Sequence, residues 1–173
     1  MPRLWFTSDT HFGHGGSLGL FKRPFDSVAA MTEALVENWN ARVAPEDTIW
    51  HLGDFAIGPK PDAQGAILER LNGTKHLVSG NNDGPATLAL EGWASVQAYA
   101  EMEAEGRKLV LCHYPFRSWN GQHKGALNLH GHSHGKLAPL PRQIDVGVDV
   151  WDFAPVAVET LLEHASSRRR RKS

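Results

Sequence analysis

Short apolar runs that end at polar or glycine residues mark the first half of the chain. These runs predict buried strands over residues 4–7, 48–52 and 75–79. Between the first two runs, apolar residues recur every three or four positions from Val28 to Trp39, which places them on one helix face. Asp26 or Ser27 caps this helix, and it ends near Arg42. The alternation of strand and helix is typical of a mainly parallel sheet.

The second half of the chain is richer in strand patterns. The predicted strands there cover residues 95–99 and 108–111, which we expect to pair, and residues 127–130, 144–148 and 156–158. The remaining predicted helices cover residues 62–71, 85–91 and 159–164. Four glycines within residues 13–19 indicate a loop. Two sheets packed together, with helices outside, are the expected result.

Composition narrows the class of protein. The 173 residues, of which 41% are hydrophobic and 21% charged, suit one globular domain. The single cysteine, Cys112, excludes a disulfide framework within the chain and a cysteine-rich zinc module. No apolar run approaches the about 18 residues that a membrane helix needs, and no signal-peptide pattern is found. The sequence therefore predicts a cytoplasmic protein that does not contact a membrane.

The C-terminal residues are strongly basic. Residues 168–172 hold five of the 18 lysines and arginines, and without them the net charge falls from −1 to −6. We predict that residues 166–173 form a basic, disordered tail on a domain that spans residues 1–165. An acidic body of this kind is not typical of a protein that binds nucleic acid along a groove.

Polar residues that can bind metal follow the predicted strands. They are Asp9, His11, Asp54, Asn81, His113, His132 and His134. In α/β folds, ligands bind outside the carboxyl ends of strands, so we expect all seven side chains at one rim. A mixed set of imidazole, carboxylate and amide ligands favours Mn, Fe, Zn, Co or Ni over Ca or Mg. Seven ligands suit two ions that share a bridging carboxylate, about 3.5–4 Å apart in hydrolytic sites.

The order of these motifs resembles the calcineurin-like metallophosphoesterase superfamily. The motifs are Asp9-Thr10-His11, Gly53-Asp54, Gly80-Asn81-Asn82-Asp83, His113 and Gly131-His132-Ser133-His134. The resemblance covers about residues 4–150 and is greatest to small bacterial and phage members. It implies a four-layer α/β/β/α sandwich, in which two packed mixed sheets are flanked by helices.

The resemblance also implies a division of the ligands between two metal ions. Asp9, His11 and His134 would bind the first ion, and Asn81, His113 and His132 the second. Asp54 would bridge both ions. Mn²⁺ is the first expectation for these divalent ions, with Fe, Zn, Ni or Co as alternatives.

The third motif departs from the family pattern, because Asn82 replaces a histidine. In the family, that histidine contacts the phosphate and is a proposed proton donor to the leaving group. An amide donates hydrogen bonds but is no general acid near neutral pH. Three interpretations stay open: leaving groups that need little protonation, another proton donor such as His14 or His123, or phosphate binding without much turnover.

Other residues near the motifs have predicted roles. Asp83 is expected to orient His113 or Asn81. Arg117 is expected to bind a phosphate, and Trp119 to stack on a base or an aromatic leaving group.

The sequence thus predicts a phosphoester hydrolase that depends on two metal ions, with a hydroxide that bridges the ions as the nucleophile. We expect phosphodiesters to be preferred over monoesters, with small esters, nucleotides or nucleic-acid ends as substrates. The alternative is a catalytically weak protein that binds metal or phosphate on the same fold. The His130–His134 segment lacks the H-x-H-x-D-H pattern of a metallo-β-lactamase-like enzyme.

Overall fold

A computed structural model describes residues 1–138 and 140–170. In chain order, the strands are β1 (Leu4–Thr7), β2 (Thr48–His51), β3 (Thr74–Val78), β4 (Ser95–Gln97), β5 (Ala100–Ala104), β6 (Arg107–Leu111), β7 (Leu127–His130), β8 (Gln143–Asp145) and β9 (Val156–Ala157). The helices are α1 (Gly15–Leu20), α2 (Val28–Arg42), α3 (Pro61–Arg70), α4 (Pro85–Leu88) and α5 (Val158–Arg170). Short 3₁₀ helices cover Gln122–Lys124 and Val148–Val150.

The strands form two mixed sheets. The first has the order β4-β3-β2-β1-β9, in which β9 alone runs antiparallel to its neighbour. The second has the order β5-β6-β7-β8, in which β5 runs antiparallel to β6. The predicted architecture of two packed mixed sheets flanked by helices is confirmed.

Alternating side chains along each strand build two separate cores. Trp5 on β1 packs with Leu35 and Trp39 of α2, whereas its neighbour Phe6 packs with Leu109 and other residues of the second sheet. Successive side chains of a strand point to opposite faces. The first sheet is therefore covered by helices on one face and by the second sheet on the other.

The outer face of the second sheet carries a thinner cover. Val110 on β6 packs there against Trp119 and Ala126, with Phe116 beside them. These covering residues belong to the loop between β6 and β7, which contains the 3₁₀ helix Gln122–Lys124. Helix α5 lies near β1, β8 and β9. No described helix is long and apolar enough to cross a membrane.

The pairing predicted for residues 95–99 and 108–111 is wrong. Strand β4 is instead parallel to β3, and β6 pairs with β5, which the sequence analysis missed. The β5–β6 hairpin turns at Glu105 and Gly106, whose φ angles of 49° and 68° suit a tight two-residue turn. The connection from β4 to β5, between Gln97 and Ala100, is only two residues long, so the apolar pattern continued from one sheet into the other.

Two other elements differ from the sequence prediction. Helix α1 (Gly15–Leu20) includes most of residues 13–19, which were expected to be a loop. Helix α5 extends to Arg170 and so includes five residues of the predicted disordered tail. Residues 171–173 of that tail lie outside the described residues.

Candidate metal centre

The structure brings the seven predicted ligands together at the carboxyl ends of β1, β2, β3, β6 and β7. His11 Nε2 lies 3.8 Å from Asp9 Oδ1, and His134 Nε2 lies 3.7 Å from the same oxygen. Asn81 Oδ1 is 3.1 Å from His113 Nε2. The His132 ring is centred 5.1 Å from the His113 ring.

Asp54 stands between two groups of ligands. Its Oδ2 lies 3.6 Å from His11 Nε2, and its Oδ1 lies 3.7 Å from His113 Nε2. Two sets of side chains present ligand atoms within 4.8 Å of one another: Asp9, His11 and His134, and Asp9, Asp54 and His113. The two oxygens of Asp54 thus face different histidines, a geometry that fits a carboxylate placed between two cations.

The buried polar atoms of the cluster fit a cation. Asp9 Oδ1 and both ring nitrogens of His11 have no hydrogen-bond partner among the described residues, although both residues are almost fully buried. An unpaired polar group in this position costs free energy that a bound cation would offset. With ligand bonds of about 2.0–2.2 Å, two ligands of one ion lie roughly 3–3.5 Å apart, close to the observed separations.

The electrostatics of the cluster keep Asp9 ionised. Burial raises the pKa of Asp9, but the contact with His11 and the imidazoles of His113 and His134 outweigh it and lower this pKa to about 2. Asp9 therefore offers a full negative charge to a cation at neutral pH.

Backbone strain is concentrated at the predicted ligands. Five of them adopt left-handed φ angles: Asp9 (57°), His11 (50°), Asp54 (59°), His132 (66°) and His134 (47°). Such a conformation costs of order 1–3 kcal/mol for a residue with a side chain, and it clusters at functional sites. The turns after β1, β2 and β7 are therefore shaped to aim these side chains at one point.

Glycines next to the ligands allow the turns to approach closely. Gly53 has a φ of 96°, and a Cβ there would lie 2.6 Å from Gly80 N and from His113 Nδ1. A Cβ on Gly131 would overlap Ser8 Oγ and Asp9 Oδ2. Both motif glycines are required by the close contact of neighbouring strand ends.

The third-motif residues contact Asp54. Asn82 donates from its backbone N–H to Asp54 Oδ1 at 2.9 Å and from Nδ2 to Oδ2 at 2.7 Å. Its side chain is otherwise exposed. Asn82 therefore lies beside the central carboxylate, at the open side of the cluster.

The role predicted for Asp83 needs correction. Asp83 accepts hydrogen bonds from the backbone N–H groups of Asp54, Phe55 and Gly80 at 2.8–2.9 Å. His113 Nδ1 contacts the carbonyl oxygen of Leu52 at 2.8 Å instead of a carboxylate. Asp83 thus holds the backbone of the second and third motifs and orients neither His113 nor Asn81.

Trp119 does not lie where a substrate could stack on it. It is 9% exposed, packs on the outer face of the second sheet, and donates from Nε1 to Ala126 O at 3.0 Å. The predicted substrate contact of Trp119 is therefore wrong, because packing covers its ring. Arg117 is exposed in the same loop, and the structure shows no contact between it and the described cluster.

His14 lies beside the cluster. Its ring stacks on the His11 ring with centroids 5.3 Å apart, and its Nδ1 is buried without a partner among the described residues. Burial, with the charges of His11 and Arg23, lowers the pKa of His14.

Four nearby residues were missed by the sequence analysis. Phe21 stacks on His134 at a centroid distance of 3.5 Å, and the exposed Tyr114 packs edge-on against His132 at 4.8 Å. Asp149 contacts His134, and Arg23 contacts Asp149. Tyr114 follows His113 directly, so the sequence could have indicated it. Phe21 and Arg23 belong to a segment without a motif.

Two packed mixed sheets with a carboxylate–histidine cluster at their strand ends are the arrangement expected of a metallophosphoesterase. The chain belongs to the calcineurin-like phosphoesterase superfamily, whose domain model matches residues 3–145. It is 29% identical over 171 residues to the uncharacterized protein MJ1445 of Methanocaldococcus jannaschii, covering 94% of this chain and 91% of that one. It is 31% identical over 192 residues to the Gene 66 protein of Mycobacterium phage D29, covering 90% and 93%.

Solved structures share the fold. The protein of unknown function AQ665 from Aquifex aeolicus has a TM-score of 0.76 at 23% identity, covering 94% of this chain and 99% of that chain. A novel archaeal phosphodiesterase has a TM-score of 0.51 at 17% identity, covering 84% and 82%. At these identities, the likeness concerns the fold alone.

Proposed function

We propose that the protein hydrolyses phosphodiesters in preference to monoesters, with two divalent transition-metal ions, Mn²⁺ first among them. The observation that supports this most is the position of Asp54, whose two oxygens face His11 and His113 separately. Asp9, His11 and His134 would hold one ion, and Asn81, His113 and His132 the other. When bound, such ions supply Lewis acidity and a water that ionises near neutral pH.

Asn82 would bind the phosphoryl group. Asn82 is an exposed residue, and its Nδ2 lies 2.7 Å from Asp54 Oδ2, where the side chain can turn to donate to a phosphoryl oxygen. A neutral amide adds no positive charge, which favours a singly charged diester over a doubly charged monoester. The same amide carries no transferable proton, which favours leaving groups that need little protonation.

Exposed residues near Asn82 would contact the second ester group. Asn81 and Asn82 are exposed, and the Tyr114 ring, 45% exposed, stands next to His113 and His132. An aromatic face at this place suits a nucleotide or another ring-bearing ester. These features support small or nucleotide-type diesters as the substrates.

The test is hydrolysis of bis-p-nitrophenyl phosphate against p-nitrophenyl phosphate, after chelator treatment and readdition of Mn²⁺. We expect faster turnover of the diester, and a loss of at least about 100-fold in Asp54→Ala. Asp62→Ala, which removes an exposed carboxylate of α3, is the matched control and should retain full activity. Turnover without metal, or equal turnover in Asp54→Ala, would contradict the proposal.

The second candidate is a metal- or phosphate-binding protein with little turnover. The observation that favours it is Asn82 in place of the expected acid. Tight Mn²⁺ binding to the wild type, without cleavage of either ester, would select this alternative.

A further inference from the structure

One buried arginine connects three segments around the cluster. The Arg23 side chain is fully buried, and its Nε and Nη2 donate to the two oxygens of Asp149 at 2.9 and 2.8 Å. Its Nη1 and Nη2 also donate to the carbonyl oxygens of Thr10 and Asp9, at 2.8 and 2.6 Å. The guanidinium thus fixes the backbone of the turn that carries Asp9 and His11.

Asp149, which Arg23 holds, in turn contacts His134. Its Oδ2 lies 2.8 Å from His134 Nδ1. Because an ionised carboxylate only accepts hydrogen bonds, His134 carries its proton on Nδ1. His134 Nε2, the other ring nitrogen, faces Asp9 Oδ1 at 3.7 Å and is the one placed to bind an ion. A carboxylate behind a ligating imidazole fixes its tautomer and its orientation.

Phe21 restrains the same ring from another direction. It stacks on His134 with an interplanar angle of 12°, so it fixes the plane of the ring while Asp149 fixes the rotation within that plane. Phe21 and Arg23 belong to the same short segment after α1. This segment therefore acts on the side chain of His134 and on the backbone of Asp9 and Thr10 together.

The other histidines of the cluster lack comparable support. His113 Nδ1 is held by a backbone carbonyl, and neither ring nitrogen of His11 has a partner among the described residues. Stability alone does not explain the Arg23–Asp149 pair, because the desolvation of a buried ion pair often cancels its attraction. The contacts of this pair with Asp9, Thr10 and His134 indicate that it holds these residues in position.

We propose that Arg23 and Asp149 are positioning residues for the ion that Asp9, His11 and His134 would hold. The inference rests on the proposed metal dependence of the site. The pair sets both the backbone of the turn after β1 and the tautomer of His134, so the three ligands are aligned before an ion arrives.

The test measures metal affinity directly. Chelator-treated protein is titrated with Mn²⁺ by calorimetry and with Co²⁺ by visible absorption, for the wild type, Arg23→Lys and Asp149→Asn. We expect the affinity for one ion to fall about 10- to 100-fold in each variant. Turnover should recover at high metal concentration, which a defect in folding would not show.

A surface ion pair provides a matched control. Arg70 and Glu33 form a bidentate pair at 2.9 and 2.6 Å, but both side chains are exposed. Arg70→Lys and Glu33→Gln should leave both metal affinities unchanged.

A double variant separates positioning from folding. Arg23→Met combined with Asp149→Leu removes both charges at once, so no unpaired charge stays buried. We expect it to fold, by circular dichroism, and to show the same loss of affinity. Wild-type affinity in folded variants would overturn the inference, and so would failure of the double variant to fold.

The outcome for the wild type distinguishes this inference from the proposed function. If the wild type binds ions but cleaves no ester, the proposed hydrolysis fails, and the metal affinities of the variants still decide the positioning role. If the wild type binds no ion, both fail.

Discussion

At the scale of single residues, Asn82 is the position where the proposed hydrolysis can be tested for its dependence on the leaving group. It contacts both oxygens of Asp54 and has no proton to transfer. Asn82→His would place an ionisable ring at the open side of the cluster. We expect it to accelerate cleavage of diesters with poor alkyl leaving groups by about 10²–10⁴-fold, and to change p-nitrophenyl release little. Rates for a series of leaving groups measure this.

Asn120 allows a control for that substitution. It is an exposed asparagine in the β6–β7 loop, where it contacts Glu101. Asn120→His should leave all the rates unchanged. If Asn82→His altered good and poor leaving groups by the same factor, the missing-acid explanation would be wrong.

The positions of single residues could be predicted where a motif marks them. Asp9, Asp54 and His134 lie at strand ends that apolar runs reveal, and they meet as expected. Arg23 and Asp149 pair across 126 positions of sequence, and only the folded chain shows their contact. Trp119 was misjudged because its position after a motif says nothing about which face of the sheet its ring covers.

At the scale of elements, Asp47 ties β1 to the turn before β2. Its oxygens accept from Arg3 N at 2.7 Å, Trp5 Nε1 at 2.9 Å and Ala44 N at 2.9 Å. Asp47→Asn should lower the free energy of unfolding by about 1–3 kcal/mol at neutral pH, because a donor replaces one accepting oxygen. Urea unfolding measures the difference.

The hydrogen bonds of Asp47 also predict how its contribution to stability depends on pH. Burial raises the pKa of Asp47, but its hydrogen bonds from Arg3, Ala44 and Trp5 outweigh burial and hold that pKa below its ordinary value. As pH falls, the Asp47 carboxylate therefore takes up a proton in the unfolded chain before it does so in the folded chain. The stabilisation by Asp47 is complete above the pKa of the unfolded state and is lost as pH falls through the pKa of the folded state.

The destabilisation in Asp47→Asn should accordingly shrink in acid. Glu46→Gln, which changes the exposed neighbouring carboxylate, is the control and should have little effect at any pH. A difference between wild type and Asp47→Asn that did not change with pH would argue against an ionised Asp47.

Elements were predicted well where hydrophobic periodicity is long. Helix α2 begins after Ser27, whose Oγ accepts from Ala30 N at 3.1 Å, and it ends at Arg42 as expected. The hairpin of β5 and β6 was missed because its outer face carries Glu101 and Glu103, which an isolated pattern assigns to a loop. Helix α1 was missed because glycine is a poor helix former, and only contacts in the folded chain overcome that preference.

At the scale of the whole molecule, metal binding should raise the stability of the folded protein. A ligand at 100 times its dissociation constant stabilises the folded state by about 2.7 kcal/mol. In a domain of this size that corresponds to a rise in Tm of about 5–11 °C. We expect a shift of this order when Mn²⁺ is added to chelator-treated protein, measured by scanning calorimetry.

Two variants test whether the rise in Tm comes from metal bound at the strand-end cluster. His134→Ala should lose most of it, whereas Asp62→Ala on the surface of α3 should keep it. A full shift in His134→Ala would show that the ions stabilise the protein from a place other than the strand-end cluster.

The position of β1 between β2 and β9 has a consequence for biosynthesis. The first strand of the chain gains one of its two neighbours from the last strand. Asp9 and His11 are translated before His134 and its partner Asp149. Chains grow from the N-terminus, and pairings between distant segments form late. The Asp9–His11–His134 group is therefore incomplete on the nascent chain, and a polypeptide released before His134 is translated carries only Asp9 and His11 of the three.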